Sequence, residues 1–242
     1  MLSIICPYNN KGILESLLQK SLKNQKDVKY ETILIEAKQH GFGSAAETLN
    51  YAGSKANGDY LIFVHQDIVF ENAFVLKQIN DFSENNEFGI AGVAGCIVNG
   101  KRVLTISNIC HGLKHEKASN HKINVPKAVI SLDECLLIVP RKVFNKIKFS
   151  DIGKTWHLYG TDYSIQCKNE GYKVLVFPIT NIWHASNGIS LNANYFDSIQ
   201  KLAKMYSEQK SIITIFGIWP TNLAVLKVKC WYRKVRLMLR GN

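Results

Sequence analysis

Hydrophobic runs and amphipathic stretches alternate along the first third of the chain. Residues 2–6 (LSIIC), 30–36 (YETILIE) and 60–65 (YLIFVH) are short and strongly apolar, which predicts three strands. Between them, 11–24 and 44–56 carry apolar residues at i, i+3 and i+4 spacing, which predicts amphipathic helices. Buried strands separated by helices are typical of a parallel sheet that is covered on both faces.

The rest of the chain predicts a less regular continuation of the same domain. The further elements are two strands, a turn followed by a helix, a last strand and a long helix, over 89–98, 134–140, 156–172, 173–178 and 192–210. Residues 111–127 are polar and predict a surface loop. Because no repeat or low-complexity linker interrupts the pattern, we expect one domain over 1–210 and a tail over 211–242.

The composition excludes some classes of protein, and the positive charge is concentrated at the C-terminal end of the sequence. The chain has 242 residues, of which 46% are hydrophobic, and this excludes a disordered or fibrous protein. Its formal charge is +11; residues 210–242 carry seven bases and no acid, which leaves 11 − 7 = +4 for residues 1–209. The six cysteines include no C-x-x-C pair, so we expect free thiols and a reduced, cytoplasmic location. The sequence also predicts no signal peptide.

The basic tail predicts contact with an anionic surface. Residues 211–226 are uncharged for only 16 positions and include Pro220, so they predict no transmembrane span. On a helical wheel, a basic stripe lies beside an apolar one, a pattern typical of a helix in an anionic membrane interface. A helix packed on the domain or on a partner is the alternative. The stripes are Lys229, Arg233, Arg236 and Arg240, and Val228, Tyr232, Val235 and Leu239.

Ligands of open α/β sheets bind at the carboxyl ends of the strands, so the polar residues at the strand ends are the candidates for a functional site. Residues 41–46 (GFGSAA) resemble a dinucleotide-binding glycine loop, but four residues separate them from their strand, which disfavours that interpretation. Asp67 closes a very apolar strand and lies two residues from His65. A carboxylate beside an imidazole suits a divalent ion that carries a diphosphate, whereas a helix N-cap is the alternative for Asp67.

Several motifs in order resemble the family 2 glycosyltransferases. SIICPYNN, YETILIE and LNYAGSKANGDYLIFVHQDI resemble the family's opening strand and turn, its second strand, and its R-N-x-G, G-x-Y and D-x-D motifs. WHLYGTDYSIQCKNEGYKVLVFP is similar to a subgroup with H-Q-D and H-L-Y-G-x-D motifs. The resemblance covers about 2–190. It implies an α/β GT-A fold, a mixed and mainly parallel sheet with helices on both faces, followed here by the helical tail.

The sequence departs from the family pattern at four positions. His65 replaces the first Asp of D-x-D, Leu49 and Ala52 replace the Arg and Gly of R-N-x-G, and Thr161 replaces the Glu of the E-D pair. These changes put metal affinity and one phosphate or base contact in question.

The resemblance implies a site. Asp162 is the expected catalytic base, with N-capping of its helix as the alternative. Asp67 with His184 is expected to bind Mn²⁺ or Mg²⁺, and a histidine packed beside Trp183 is the alternative for His184. For His65, assigned to the donor, ligation of the metal is the alternative. The expected donor-binding residues are Pro7, Tyr8, Asn9, Glu36, Asn50, His65 and Gln66, and the expected acceptor contacts are Asp133, Glu134, Trp156, His157 and Tyr159. Asp133 and Glu134 are also rival bases. A zinc site at His111, His115 and His121 is disfavoured by their polar surroundings.

The implied activity is transfer of a sugar from a nucleoside diphosphate donor, most simply a UDP-sugar, to a hydroxyl group with inversion. Polysaccharide or glycoconjugate synthesis on a glycan or lipid-linked acceptor, at the inner face of the cell membrane, is implied with it. Two alternatives stay open: a nucleotide-sugar-binding module without catalysis, and a basic membrane- or nucleic-acid-binding protein. The body of the chain lacks a basic stripe with interleaved aromatics, which disfavours nucleic acid as a partner.

Overall fold

The structure is a computed structural model that describes residues 1–186 and 191–239. The strands of the described residues are β1 (Leu2–Tyr8), β2 (Tyr30–Glu36), β3 (Tyr60–Val64), β4 (Ile68–Phe70), β5 (Ile90–Gly92), β6 (Ala94–Asn99), β7 (Arg102–Ser107), β8 (Cys110–His111), β9 (Glu116–Lys117), β10 (Lys127–Ala128), β11 (Ser131–Leu132), β12 (Leu136–Pro140), β13 (Val174–Val176), β14 (Ile182–His184), β15 (Ser211–Thr214) and β16 (Gly217–Pro220). The helices are α1 (Lys11–Leu14), α2 (Lys20–Leu22), α3 (Ala45–Lys55), α4 (Val75–Glu84), α5 (Arg141–Lys146), α6 (Tyr159–Asn169), α7 (Ala193–Met205) and α8 (Leu223–Leu239). A π-helical turn, Glu15–Gln19, joins α1 and α2 into one helix.

A seven-stranded sheet in the order β10-β13-β5-β12-β3-β1-β2 forms the centre of the molecule. The pairs β1–β2, β1–β3 and β5–β13 are parallel, whereas β12 runs antiparallel to both of its neighbours. The strands β1, β2, β3, β12 and β13 therefore correspond to predicted strands, and the reversal at β12 makes the sheet mixed, as the resemblance implies. The predicted strand 89–98 is divided at Val93, where the chain leaves the central sheet and β6 joins a small sheet with β7 and β11.

Alternate residues of the central strands point to opposite faces and build two apolar cores. Ile4, Ile62 and Ile138 lie on one face, where they pack with residues of α1 to α2 and of α4. Ile5 and Phe63 lie on the other face, under α3, α5 and α6. Because both faces are covered by helices, the polar ends of the strands are the part of the sheet that is open to solvent.

Local sequence signals fix the elements that lead to the strand ends. Asn10 caps α1 by accepting from the Ile13 N–H at 3.1 Å. Ser44 and Glu47 form a capping box at the start of α3. Gly58 lies between α3 and β3, where a Cβ atom would come 2.6 Å from the Ser3 backbone nitrogen, so the turn needs a glycine.

The C-terminal region packs on the domain through a third core. Trp219 is fully buried and packs with α7 residues such as Phe196 and with Cys230 of α8. The predicted tail is therefore not one helix, since β15 and β16 form a hairpin before α8 begins. The predicted boundary after residue 210 passes through this core. No helix of the described residues combines the length and apolarity that a bilayer crossing requires.

Candidate active site

Three metal-ligating side chains converge at the carboxyl end of β3. His65 and Asp67 follow that strand directly, and β14 pairs with β4 so that His184 lies opposite Ile68 and therefore beside Asp67. The Asp67 Oδ1 and His184 Nε2 atoms are 3.3 Å apart, and the His65 and His184 ring centroids are 5.5 Å apart. One ligand atom of each residue lies within 4.8 Å of those of the other two.

The pKa shifts of His65 and Asp67 suit metal binding. Burial, joined by the charge of His184, lowers the pKa of His65, so its imidazole is neutral and has a free lone pair. Burial would raise the pKa of Asp67, but the hydrogen bond and charge of His184 outweigh it and the pKa is lowered. The cluster therefore offers one carboxylate and two imidazoles.

This donor set fits a divalent transition metal. An ion with ligands at about 2.1 Å holds adjacent ligand atoms ~3 Å and opposite ones ~4.2 Å apart, which matches the spacing of the cluster. Imidazole nitrogen suits the transition metals, whereas Mg²⁺ takes oxygen ligands almost entirely. His65, expected to contact the donor, belongs to this set.

Gln66 ties the end of β3 to the end of β1. Its Oε1 accepts from the Asn9 and Asn10 backbone N–H groups at 3.1 and 3.0 Å, and its Nε2 donates to Asn9 Oδ1 at 2.7 Å. Pro7 and Tyr8 complete β1 immediately before this turn. Gln66 therefore fixes the shape of the turn, and its own polar atoms are occupied by protein.

Tyr159 connects the cluster to the acids that precede β12. Its hydroxyl lies 3.1 Å from His65 Nε2 and donates to the Glu134 carbonyl oxygen at 3.3 Å. The backbone N–H of His65 donates to the Cys135 carbonyl oxygen at 3.0 Å. Sequence reasoning selected Tyr159 and Glu134 separately, but it did not show that they lie beside His65.

Glu134 has the properties of a general base. Its residue is partly exposed. Burial of most of its side chain and the neighbouring charge of Asp133 raise its pKa to about 8, against hydrogen bonding from the Gly160 and Leu158 backbone N–H groups. Asp133 turns its own Oδ1 to the Cys135 N–H at 3.0 Å. A partly exposed carboxyl group with a pKa of about 8 is suited to proton transfer near neutral pH.

Asp162, the expected catalytic base, has different surroundings, and its role as the base stays a prediction. It is 1% exposed. Tyr206 Oη donates to its Oδ1 at 2.7 Å, and Gln166 Nε2 donates to its Oδ2 at 2.9 Å. The N-cap interpretation is wrong, because α6 begins at Tyr159 and Asp162 lies inside its first turn. Asp162 is a buried acid that joins α6 to the end of α7.

Asn50, an expected donor contact, is hydrogen-bonded within the protein. Its Nδ2 donates to the Phe149 carbonyl oxygen at 2.8 Å, and its Oδ1 accepts from the Phe149 N–H at 3.0 Å. Both ends of the amide are therefore engaged with the loop that precedes α6.

The other predicted contacts lie around the strand ends. Glu36 closes β2 opposite Tyr8 in the parallel ladder and accepts from Gln39 Nε2 at 2.5 Å. Trp156 is exposed, whereas the ring of His157 packs edge-on against Tyr195, and burial lowers the pKa of this histidine. Among the described residues, no contact connects Glu36, Trp156 or His157 to the cluster of His65, Asp67 and His184.

Sequence reasoning missed two sets of partners. Ser186 Oγ lies 3.0 Å from His184 Nε2, but a serine two residues after a histidine carries no signal of its own. Tyr206 and Gln166 hold Asp162. Gln166 is at i+4 from Asp162 on a predicted helix and could have been found, whereas Tyr206 is distant in sequence.

Comparison with known proteins gives the family. A model of the glycosyltransferase-like family matches residues 3–206. The chain therefore belongs to the glycosyltransferase-like family. No curated protein matches the chain in sequence.

Solved structures of other proteins share the fold. S. aureus TarS 1–349 in complex with UDP-GlcNAc has a TM-score of 0.56 at 14% identity, over 84% of this chain and 65% of that chain. GalNAc-T7 with UDP, GalNAc and Mn²⁺ has a TM-score of 0.56 at 12% identity, over 84% and 47%. The mannosyltransferase PcManGT from Pyrobaculum calidifontis, in complex with GDP-Man and Mn²⁺, has a TM-score of 0.55 at 12% identity, over 86% and 63%.

The chain spans less than two thirds of the length of each of these three structures. At such identities the likeness concerns the fold, and it confirms the predicted GT-A class of mixed α/β structure.

Proposed function

We propose that the protein transfers a sugar from a nucleoside diphosphate donor, most simply a UDP-sugar, to a hydroxyl acceptor with inversion at the anomeric carbon. The observation that carries the proposal is the cluster of His65, Asp67 and His184 at the strand ends of a glycosyltransferase-family domain. Two structures of similar fold are described with Mn²⁺ together with a nucleotide or nucleotide sugar.

His65, Asp67 and His184 would hold the ion. When bound, a divalent ion neutralises the charge that develops on a departing diphosphate. Two imidazole ligands favour Mn²⁺ over Mg²⁺. Ser186, next to His184 Nε2, would orient that imidazole.

The donor would lie along the ends of β1 and β2. Glu36 would accept a hydrogen bond from the nucleobase, most simply from the N3–H of uracil. The turn after Tyr8, which Gln66 holds rigid, would set the distance between the base and the diphosphate. Rigid support of this kind reduces the ordering needed when the donor binds.

Glu134 would be the base. Its carboxylate accepts the proton of the acceptor hydroxyl as that oxygen attacks the anomeric carbon from the face opposite the diphosphate. Trp156, exposed in the loop before α6, would stack on an acceptor sugar. A glycan or lipid-linked acceptor of a cell-surface polysaccharide or glycoconjugate would suit such a surface.

Thermal unfolding with a panel of nucleotides and nucleotide sugars, each with Mn²⁺, Mg²⁺ or neither, tests this function. A ligand at a hundred times its Kd stabilises by about 2.7 kcal/mol, which corresponds to a rise in Tm of roughly 5–10 °C for a chain of this size. We expect the largest rise with a uridine nucleotide and Mn²⁺.

The matched variants are Asp67→Ala and Asp197→Ala. Asp197 is an exposed acid on α7. We expect Asp67→Ala to lose the metal-dependent part of the rise and Asp197→Ala to keep it. An absence of any nucleotide effect, or an unchanged rise in Asp67→Ala, would contradict the proposal.

A further inference from the structure

Helix α8 has two apolar faces, and the domain covers one of them. Leu226 and Cys230 are buried in the third core, with Leu223 and Leu237 packed against it. These four residues form the inner face of the helix. Their spacing of three, four and seven residues places them on one side.

A second apolar face points away from the domain. Two adjacent rows at spacings of three and four residues run along it. Trp231 and Val228 at its centre are 65% and 66% exposed. This outer face consists of Ala224, Val225, Val228, Trp231, Tyr232, Val235, Met238 and Leu239.

Basic residues border the outer face on both sides. At 100° per residue, Lys227 and Lys234 lie along one border, and Lys229, Arg233 and Arg236 lie along the other. Residues 210–239 contain no acid. An apolar stripe between two basic borders is the pattern of a helix that lies in a lipid interface.

The basic stripe predicted from sequence is therefore only partly free. Lys229 Nζ donates to the Ile218 carbonyl oxygen, and Arg233 Nη2 donates to the Phe216 carbonyl oxygen at 3.4 Å. Both cations also lie over the Trp219 ring. These contacts hold α8 on the hairpin of β15 and β16 and thereby fix the rotation that turns Trp231 outward. Arg240 lies outside the described residues.

We propose that the outer face of α8 docks the protein on an anionic lipid bilayer, with the helix parallel to the membrane plane. Its apolar side chains would enter the headgroup and upper acyl region, where Trp and Tyr are favoured. The exposed Lys227 and Arg236, one on each border, would extend to anionic headgroups. This inference does not depend on the proposed sugar transfer.

A second copy of the chain is a poorer occupant of the same face. Pairing two outer faces would bring basic borders together with no acid of α8 to neutralise them, and like charges across a helix pair destabilise it. A surface of negative charge relieves this repulsion, because each basic residue near it is attracted.

Sedimentation of the full chain with vesicles tests the proposal. One set contains phosphatidylcholine alone and the other contains added phosphatidylglycerol. We expect binding to the second set only, weakened by salt because screening reduces the attraction. The variant Val228→Ser/Trp231→Ser removes the centre of the outer face without a change of charge. The variant Lys227→Gln/Arg236→Gln removes one exposed cation from each border.

Each variant has a matched control elsewhere on the surface. Leu113 and Val125, 82% and 67% exposed, are changed to Ser together. Lys23 and Lys29, both exposed, are changed to Gln together. We expect roughly tenfold weaker binding or more in both α8 variants, native affinity in both controls, and an unchanged Tm in all four, since the altered side chains lie outside the cores.

Three results would overturn the proposal. The full chain could fail to bind anionic vesicles, or the α8 variants could bind as tightly as their controls. Light scattering without lipid could also show a dimer that Val228→Ser/Trp231→Ser dissociates, which would assign the outer face to self-association.

Discussion

Burial raises the pKa of both Glu134 and Asp162. The surroundings of the two acids differ, however: Glu134 lies just before β12, and Asp162 lies in the first turn of α6. Asp162 is enclosed, and the side chains of Tyr206 and Gln166 donate to both of its oxygens. Glu134 is partly exposed, lies beside another acid and receives hydrogen bonds from backbone N–H groups. Burial alone therefore does not identify a catalytic acid or base. A catalytic acid or base is better indicated by a carboxyl group whose pKa is raised and which is still partly exposed to solvent.

The largest expected effect is on the rate of transfer, when each of the two acids is replaced by its isosteric amide. Glu134→Gln cannot accept a proton, so transfer should fall by roughly 10²–10⁴-fold while binding of nucleotide and Mn²⁺ persists. Asp162→Asn should keep its rate per folded molecule within about threefold, because both oxygens of Asp162 accept from protein side chains. Rates are to be divided by the folded fraction at the assay temperature.

The reverse result is as clear. If Asp162→Asn loses transfer with an unchanged Tm while Glu134→Gln stays active, then Asp162 is the base and the proposed role of Glu134 is wrong. That outcome would require the first turn of α6 to rearrange when substrates bind.

The pH dependence of transfer provides a second, smaller effect. A base must be deprotonated, and the pKa of Glu134 is about 8, so the rate should rise with pH through about 8 and then level off. In Glu134→Gln this dependence should be absent from the remaining activity. A wild-type profile that is level across this range would exclude Glu134 as the titrating group.

Stability should change with pH in the opposite direction, which gives an internal control. The folded pKa of Glu134 lies above the ordinary value of 4.5, so the folded state binds the proton more tightly than the unfolded state. Its contribution to the free energy of unfolding is fully present below about 4.5 and is lost as pH rises through about 8. Glu134→Gln should be less sensitive to pH over this window in denaturant titrations.

The smallest expected effects concern Asp162 as a structural acid. Tyr206→Phe leaves Asp162 Oδ1 without its hydroxyl donor, and Asp162→Ala leaves both donors unsatisfied. Each should lower the free energy of unfolding by about 1–3 kcal/mol, or a few degrees of Tm, with the larger loss in Asp162→Ala. Tyr172→Phe serves as the control, because no hydrogen bond of the Tyr172 hydroxyl is found among the described residues. Equal stability of Tyr206→Phe and the control would show that the Tyr206–Asp162 bond contributes nothing measurable.

Local patterns predicted much of the sheet and one edge of the site. Apolar runs predict β1, β2 and β3. The polar residues after β3 are predicted to be functional because an acid that closes a buried strand needs a partner. The family model and the structures of similar fold confirm the GT-A interpretation. The approach of His184 to Asp67 was suggested by resemblance and depends on the pairing of β14 with β4, which no local pattern specifies.

The sequence is least informative where distant packing decides the surroundings of a residue. Asp162 has the same helical pattern whether its side chain meets solvent or Tyr206, which follows α7 directly. The tail sequence shows an apolar stripe but not that Trp219 is buried, because the hairpin turn at Gly217 and the packing on α7 are tertiary features. Tertiary context therefore sets the surroundings of Asp162 and the end of the domain.

The pairing of β14 with β4 also sets the order in which the protein can become functional during synthesis. His65 and Asp67 leave the ribosome early, together with the strands that support them, whereas His184 follows only after β12, α6 and β13 have been made. Nascent chains that end before β14 therefore present two of the three ligands and cannot close the cluster. Since large domains fold largely as units, we expect chains that end before β14 to lack the assembled cluster.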